Sequence, residues 1–333
     1  MTLFSTSRSV RWLRSHVKFA VGAGVSAGVF LLNLICFLHA YALTHFTEGG
    51  IRPPKPEEMS LWQKARVLAT GVRIPRPTNA STPQTLGLSC DVHYLESTAG
   101  LRLEAWHISH AQAKGCIAMF HGYAASKATL LQEAHALYEL GYSTFLVDFR
   151  GGGGSEGSTT TIGAKEAEDV RCSIDYVRRH WPSQPLVLYG QSMGAAAILR
   201  AVSTGAVRPE ALLLESPFDR LLTTVENRFA AMKLPTFPCA RLIVFWGGVQ
   251  HGFNAFQHNP FDYARFVDCP TLLLHGEKDP RVNGAQAKAI YANLAGTKQF
   301  EVFGGVGHES CMSACPLQWK QCVGAFLSRH VRQ

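Results

Sequence analysis

The most extended hydrophobic pattern in the chain is the run 19–43, twenty-five residues without Asp, Glu, Lys or Arg. A helix needs ~20 such residues to cross the hydrocarbon core of a bilayer, so the run predicts a transmembrane segment interrupted only by the polar side chains of Asn33 and His39. Six of the sixteen prolines then fall in 44–87, which predicts a linker with a single helical candidate at 61–69. From about residue 88 the pattern changes to short apolar runs alternating with amphipathic stretches. Strands are expected at 90–95, 101–108, 116–120, 143–147, 186–189, 211–214, 271–274 and 299–302. Helices are expected at 130–140, 165–180, after residue 192, at 286–294 and at 317–330. Such alternation predicts a mainly parallel sheet covered on both faces, with loops carrying chemistry at the strand C-termini. Residues 217–268 break the pattern with four prolines and a run of large aromatics that includes Phe229, Phe237, Phe245, Trp246, Phe253 and Phe256. Lying between two strands at that edge, they read as a small helical cap, the aromatics forming its own core or lining an apolar pocket.

Charge sharpens the picture. The formal net charge is +8, but residues 1–18 contribute +4 through Arg8, Arg11, Arg14 and Lys18, and 44–87 contribute +3. The remaining +1 on 88–333 leaves that domain nearly neutral, which argues against nucleic-acid binding and for a membrane-facing N-terminal end. Basic residues before the span predict a cytoplasmic N-terminus and a domain on the far, extracytoplasmic side. The competing reading is secretion after cleavage at Ala40-Tyr41-Ala42, a small-x-small site, although a signal core is usually only ~7–15 residues long. Of nine cysteines, Cys36 lies in the span, and the other eight leave disulfides open in an exported protein. Cys311, Cys315 and Cys322 near His308 invite a zinc reading, but no paired C-x-x-C is present and Pro316 interrupts the spacing, so no metal is expected.

The chemistry concentrates at Gly190-Gln191-Ser192-Met193-Gly194, between an expected strand and an expected helix. A serine flanked by glycines on a sharp strand-to-helix turn is the form of a nucleophile elbow. A serine hydroxyl needs a base, and the base needs an orienting carboxylate. Asp279 follows the 271–274 strand and His308 follows the 299–302 strand in a glycine-rich loop, giving the chain order Ser192, Asp279, His308. His121 and His275 are rival bases, but neither follows the acid; Glu215 and Asp219 are rival acids. Oxyanion donors are expected from the N–H groups of Met193 and Tyr123, with Gly122 as second choice for the latter. Asp148-Phe149-Arg150 followed by four glycines lacks the G-K-[ST] ending of a phosphate loop and reads as a turn at a strand end.

Together these residues resemble the α/β-hydrolase superfamily over about 88–330. The set is His121-Gly122, Asp148-Phe149-Arg150-Gly151 with Gly154-Ser155-Glu156-Gly157, Gly190–Gly194, Glu215-Ser216-Pro217-Phe218, His275-Gly276-Glu277-Lys278-Asp279 and Gly307-His308. The branch it looks most like is the single-pass bacterial hydrolases related to serine aminopeptidases and to acyl-protein thioesterase-like proteins. Four consecutive glycines at 151–154 exceed what that branch usually carries, and Asn283 stands where a proline is often seen. The resemblance implies the α/β-hydrolase fold and a serine hydrolase without metal or organic cofactor, acting on a small-molecule or acyl substrate. The expected reaction is cleavage of a carboxylic ester or thioester through an acyl-enzyme on Ser192. A serine aminopeptidase would need a cap carboxylate for the substrate amine, and Glu226 is the only acid between Asp219 and Asp262. A third reading keeps the fold as a non-catalytic, membrane-tethered interaction protein. Nothing in the sequence bears on oligomeric state.

Overall fold

The computed structural model describes residues 6–49, 59–205 and 207–331. The start of the basic segment and linker residues 50–58 lie outside them. The first element is a single helix, α1 (Thr6–Thr44), long and apolar enough to cross a membrane as an anchor or a signal sequence. Its residues 14–31 are exposed throughout, whereas Cys36 and Ala40 are buried.

The stretch expected to be a linker is partly ordered. It holds the two-residue parallel strands β1 (Phe46–Thr47) and β2 (Ile74–Pro75), the helix α2 (Leu61–Thr70) and a 3₁₀ turn at Pro83–Leu86. Ser60 and Gln63 form a reciprocal capping box that starts α2. Beyond β2, polar side chains pin the backbone to the domain. The Arg76 guanidinium donates to the carbonyls of Gly153 (2.9 Å) and Ser155, and Asn79 donates to Asp148 (2.8 Å). Proline content signalled the absence of long elements here; it carried no information about these contacts.

The domain is an eight-stranded sheet. Its strands are β3 (Asp91–Glu96), β4 (Arg102–Ile108), β5 (Cys116–Phe120), β6 (Ser143–Val147), β7 (Leu186–Gln191), β8 (Ala211–Glu215), β9 (Thr271–Gly276) and β10 (Lys298–Phe303). They lie in the order β10-β9-β8-β7-β5-β6-β4-β3. β4 pairs antiparallel with both β3 and β6, and the other pairs are parallel. Strands buried on both faces need no alternation, which is why β5 to β9 read as continuous apolar runs. One face is covered by α4 (Glu166–His180) and α5 (Met193–Ser203), the other by α3 (Leu131–Glu139) and α11 (Pro316–His330). α9 (Gly284–Asn293) and the one-turn α10 (Cys311–Ala314) follow β9 and β10. Asn283, the departure from the family pattern, caps α9: its side chain accepts from the Gln286 N–H at 3.0 Å, and Gln286 reciprocates.

Residues 217–268 fold as α6 (Leu221–Ala231), α7 (Cys239–His251), a 3₁₀ turn at Ala255–Gln257 and the short α8 (Pro260–Ala264). The aromatics divide. Phe229 and Phe253 pack inward, Trp246 lies on α1, and Phe237, Phe245 and Phe256 face outward. The buried core of α6 and α7 is continuous with Leu32, Cys36, Ala40 and Leu43 of α1.

Candidate active site

All the sequence-nominated groups stand at the C-terminal edge of the parallel strands. Ser192 sits between β7 and α5 with φ +51° and ψ −108°, a conformation that a non-glycine residue adopts only when its surroundings enforce it. Tight packing does the enforcing. A Cβ on Gly194 would come within 2.2 Å of the Phe120 carbonyl oxygen, so α5 approaches the end of β5 as only a glycine permits. The Ser192 N–H donates to the Glu215 carbonyl at 2.7 Å, tying the turn to β8.

The Ser192 Oγ lies 3.0 Å from His308 Nε2, and His308 Nδ1 lies 2.6 Å from Asp279 Oδ2. The other Asp279 oxygen accepts the N–H groups of Arg281 (2.8 Å) and Val282 (2.9 Å). Burial alone would raise the Asp279 pKa, but His308 and these two N–H groups outweigh it and hold the carboxyl below its usual value. An ionised carboxylate only accepts, so Nδ1 carries the imidazole proton and Nε2 is left to accept from the serine hydroxyl. The chain alcohol, imidazole, carboxylate is therefore oriented for proton removal from Ser192. The imidazole is 13 % exposed, open to a substrate yet shielded from bulk water.

The rivals do other things. His121 is fully buried; its Nε2 accepts the Phe149 N–H (3.1 Å), which holds the loop after β5. His275, also buried, has neither ring nitrogen hydrogen-bonded. Glu215 accepts from Tyr189 (3.0 Å), Gln191 (3.1 Å) and the Cys311 N–H (3.0 Å), and burial raises its pKa. Asp219 accepts from Thr223 in the cap and from Gln286 of α9. None of these engages His308 by a hydrogen bond. All nine cysteines are free thiols.

Met193 opens α5, where first-turn N–H groups have no acceptor within the helix. The His121-Gly122-Tyr123 loop runs alongside: a Cβ on Gly122 would lie 3.7 Å from that of Ser192. Both nominated oxyanion donors thus belong to segments flanking the serine.

Sequence reasoning missed two features around this edge. The Tyr123 hydroxyl donates to the carbonyl of Leu43 at 2.5 Å, so the last turn of α1 is fastened to the loop beside the serine. The Asp148 carboxylate closes a buried network, accepting from the Lys127 ammonium, the Lys127 N–H (2.7 Å) and the Gly154 N–H (2.9 Å), while Lys127 also reaches Glu104 at 2.7 Å. That network explains the last two of the four glycines. A Cβ on Gly153 would lie 1.9 Å from Asp148 Oδ2, and one on Gly154 would lie 2.2 Å from Glu104. Among the described residues, the group able to hold a metal ion is Asp91, His93 and His107, on the antiparallel edge of the sheet.

Comparison with known structures settles the architecture. The Pyrococcus furiosus esterase Pf2001 superposes with a TM-score of 0.66 at 23 % identity, covering 78 % of this chain and 98 % of that one. The chain has the α/β-hydrolase fold. The family described as serine aminopeptidase, S33, matches residues 111–241 of this hydrolase fold, a stretch that includes the elbow. An uncharacterised Mycobacterium tuberculosis protein, Rv2307c, is 29 % identical over 220 residues, covering 64 % of this chain and 70 % of its own. The lysophosphatidylserine lipase ABHD12 of Danio rerio is 26 % identical over 267 residues, covering 71 % and 67 % respectively. Those whose names carry an activity are an esterase and a lipase, which supports a hydrolase.

Proposed function

We propose that this chain is a membrane-anchored serine hydrolase that cleaves a carboxylic ester or thioester of an acyl substrate. The observation that carries the reading is the continuous hydrogen-bonded path from Ser192 through His308 to Asp279. Ser192 attacks the carbonyl as His308 takes its proton, and His308 then donates that proton to the leaving group. Asp279 keeps the imidazole tautomer and stabilises its cationic form. The N–H groups of Met193 and Tyr123 hold the oxyanion, and water attacks the acyl-enzyme to release the acid. Losing one such donor typically costs ~3 kcal/mol of transition-state stabilisation.

The lining of the neighbouring pocket favours an acyl group over a peptide amine. Between α1, α6 and α7 lies a small, mostly apolar pocket, part of it open to solvent. Its walls include Ala40, Leu43, Leu221, Val225 and Ile243, and its charged member is Arg228, stacked 5.0 Å above the Tyr123 ring. A cation there repels an ammonium group, and Glu226, the acid an aminopeptidase reading would use, does not line the pocket.

We read α1 as an uncleaved anchor. Cleavage after Ala42 would remove Cys36 and Ala40 from the cap core and leave Tyr123 fastened to a severed end. The basic residues ahead of the span favour a cytoplasmic N-terminus with the hydrolase domain on the far side. A fluorophosphonate probe tests the chemistry: full-length protein labels, and Ser192→Ala does not. Equal labelling of both excludes Ser192 as the nucleophile. A reporter fused after residue 87 tests the topology, and reporter activity in the cytoplasm would reverse it.

A further inference from the structure

The free length of α1 is too short for the span it has to make. Between Phe19 and Leu31, thirteen uncharged residues stand clear of the domain. At 1.5 Å per residue they rise ~20 Å, against a hydrocarbon core of ~30 Å. About seven more residues of α1 have to enter the core, which takes the span to about Leu38. Those residues are the ones the cap packs against. Cys36 is buried on the α7 side, the Phe37 ring meets the Trp246 ring edge-on at 5.5 Å, and Gln250 of α7 donates to the Phe37 carbonyl at 2.8 Å. Asn33 is satisfied in the same place, its Oδ1 accepting the Trp246 indole N–H at 3.3 Å. A polar side chain facing hydrocarbon needs such a partner.

We propose that α7 is embedded beside α1 in one leaflet, and that the pocket between α1, α6 and α7 takes its acyl chain directly from that leaflet. The outer surface of α7 fits the site. From residue 242 to 250 it carries no charge, and Phe245 and Val249, one turn apart, are 47 % and 54 % exposed. Arg241, exposed near the start of the helix, reaches the headgroups only by snorkelling along its stem. α2 completes the rim. His39 donates from Nε2 to the Leu68 carbonyl at 3.0 Å, which sets α2 against α1. The same helix leaves Trp62 87 % exposed alongside Lys64 and Arg66, an amphipathic combination suited to the bilayer interface. Depth is fixed by the geometry of α1; the choice of an acyl occupant rests on the hydrolase reading above.

Two experiments separate these layers. Full-length protein is reconstituted into phosphatidylcholine vesicles doped with a phospholipid carrying a diazirine on its acyl chain, and adducts are mapped by mass spectrometry after irradiation. Adducts in peptides covering 239–251 as well as in α1 are expected; adducts confined to α1 overturn the embedding. The second arm compares Phe245→Glu/Val249→Glu with Leu317→Glu, an exposed apolar site on the far face of the sheet. The double variant should lose about ten-fold or more in hydrolysis of a long-chain monoacyl ester held in vesicles while staying within about two-fold of wild type on a soluble acetate ester. Leu317→Glu should change neither rate. Retention of the vesicle-borne rate by the double variant overturns the lateral route. Wild-type failure on both esters, with cap adducts present, overturns the hydrolase reading and leaves the embedding standing.

Discussion

Two carboxylates at the strand edge, Asp279 and Asp148, have nearly the same first neighbours and opposite consequences. Each sits after a strand, accepts two backbone N–H groups and faces a side chain that bears or can bear positive charge. Both are buried, and both are held below the usual carboxylate pKa although burial alone would raise it. The difference lies in the partner. His308 is 13 % exposed and spends only one nitrogen on Asp279, leaving the other for Ser192. Lys127 is 0 % exposed and divides its ammonium between Asp148 and Glu104. One arrangement leaves an imidazole nitrogen facing Ser192; the other locks a glycine-rich loop in place. Buried charge by itself marks neither catalysis nor scaffold: what remains unspent on the partner decides.

The contrast can be broken from either side. Asp279→Asn keeps the shape but reverses the tautomer preference of His308, so kcat should fall about 10⁴-fold with little loss of thermal stability. Steady-state kinetics beside a melting curve read both; a small kinetic effect would remove Asp279 from the proposed role. Lys127→Met leaves Asp148 buried without its cation and should cost about 3–5 kcal/mol of folding stability by urea unfolding, with activity falling only as the folded fraction falls. A near-neutral result would mean the loop is held by its other hydrogen bonds. The pH response is a smaller effect. Because the folded-state pKa of Asp148 is depressed, its contribution is complete above the unfolded value of about 3.9 and is lost as pH falls through the folded value. Unfolding free energies measured at steps below pH 5 should therefore drop more steeply in wild type than in Lys127→Met. The smallest change is Asn283→Ala, which removes the cap of α9 at about 1 kcal/mol and should leave kcat untouched.

How much of this was legible in the sequence depended on the range of the interaction. β5 and β6 fall at the predicted positions, and the other strands of the eight-stranded sheet differ only at their ends, because apolar runs and turn residues are local signals. The elbow was legible for the same reason: Gly190 and Gly194 record how closely α5 approaches β7 and β5. The acid and base could be nominated from strand ends and chain order alone. What stayed hidden was which surfaces meet. Asn33 and His39 looked like flaws in an apolar span, and only their distant partners, Trp246 and the Leu68 carbonyl, explain them. The same holds for the Tyr123 link to Leu43, for Lys127, whose sequence neighbourhood gives no hint of complete burial, and for the proline-rich stretch, whose arginine and asparagine make contacts that composition does not encode.

The hydrogen bond between Asn33 and Trp246 joins positions 213 residues apart. During synthesis the helix bearing Asn33 emerges first and waits, half-matched, until the strands before the cap have been made. A shortened protein starting beyond Thr44 would therefore present α7 with its inner, apolar side bare. Such a fragment should come out of cells as aggregate or in complex with a chaperone, and supplying the missing helix as a separate peptide in detergent should recover dispersed material.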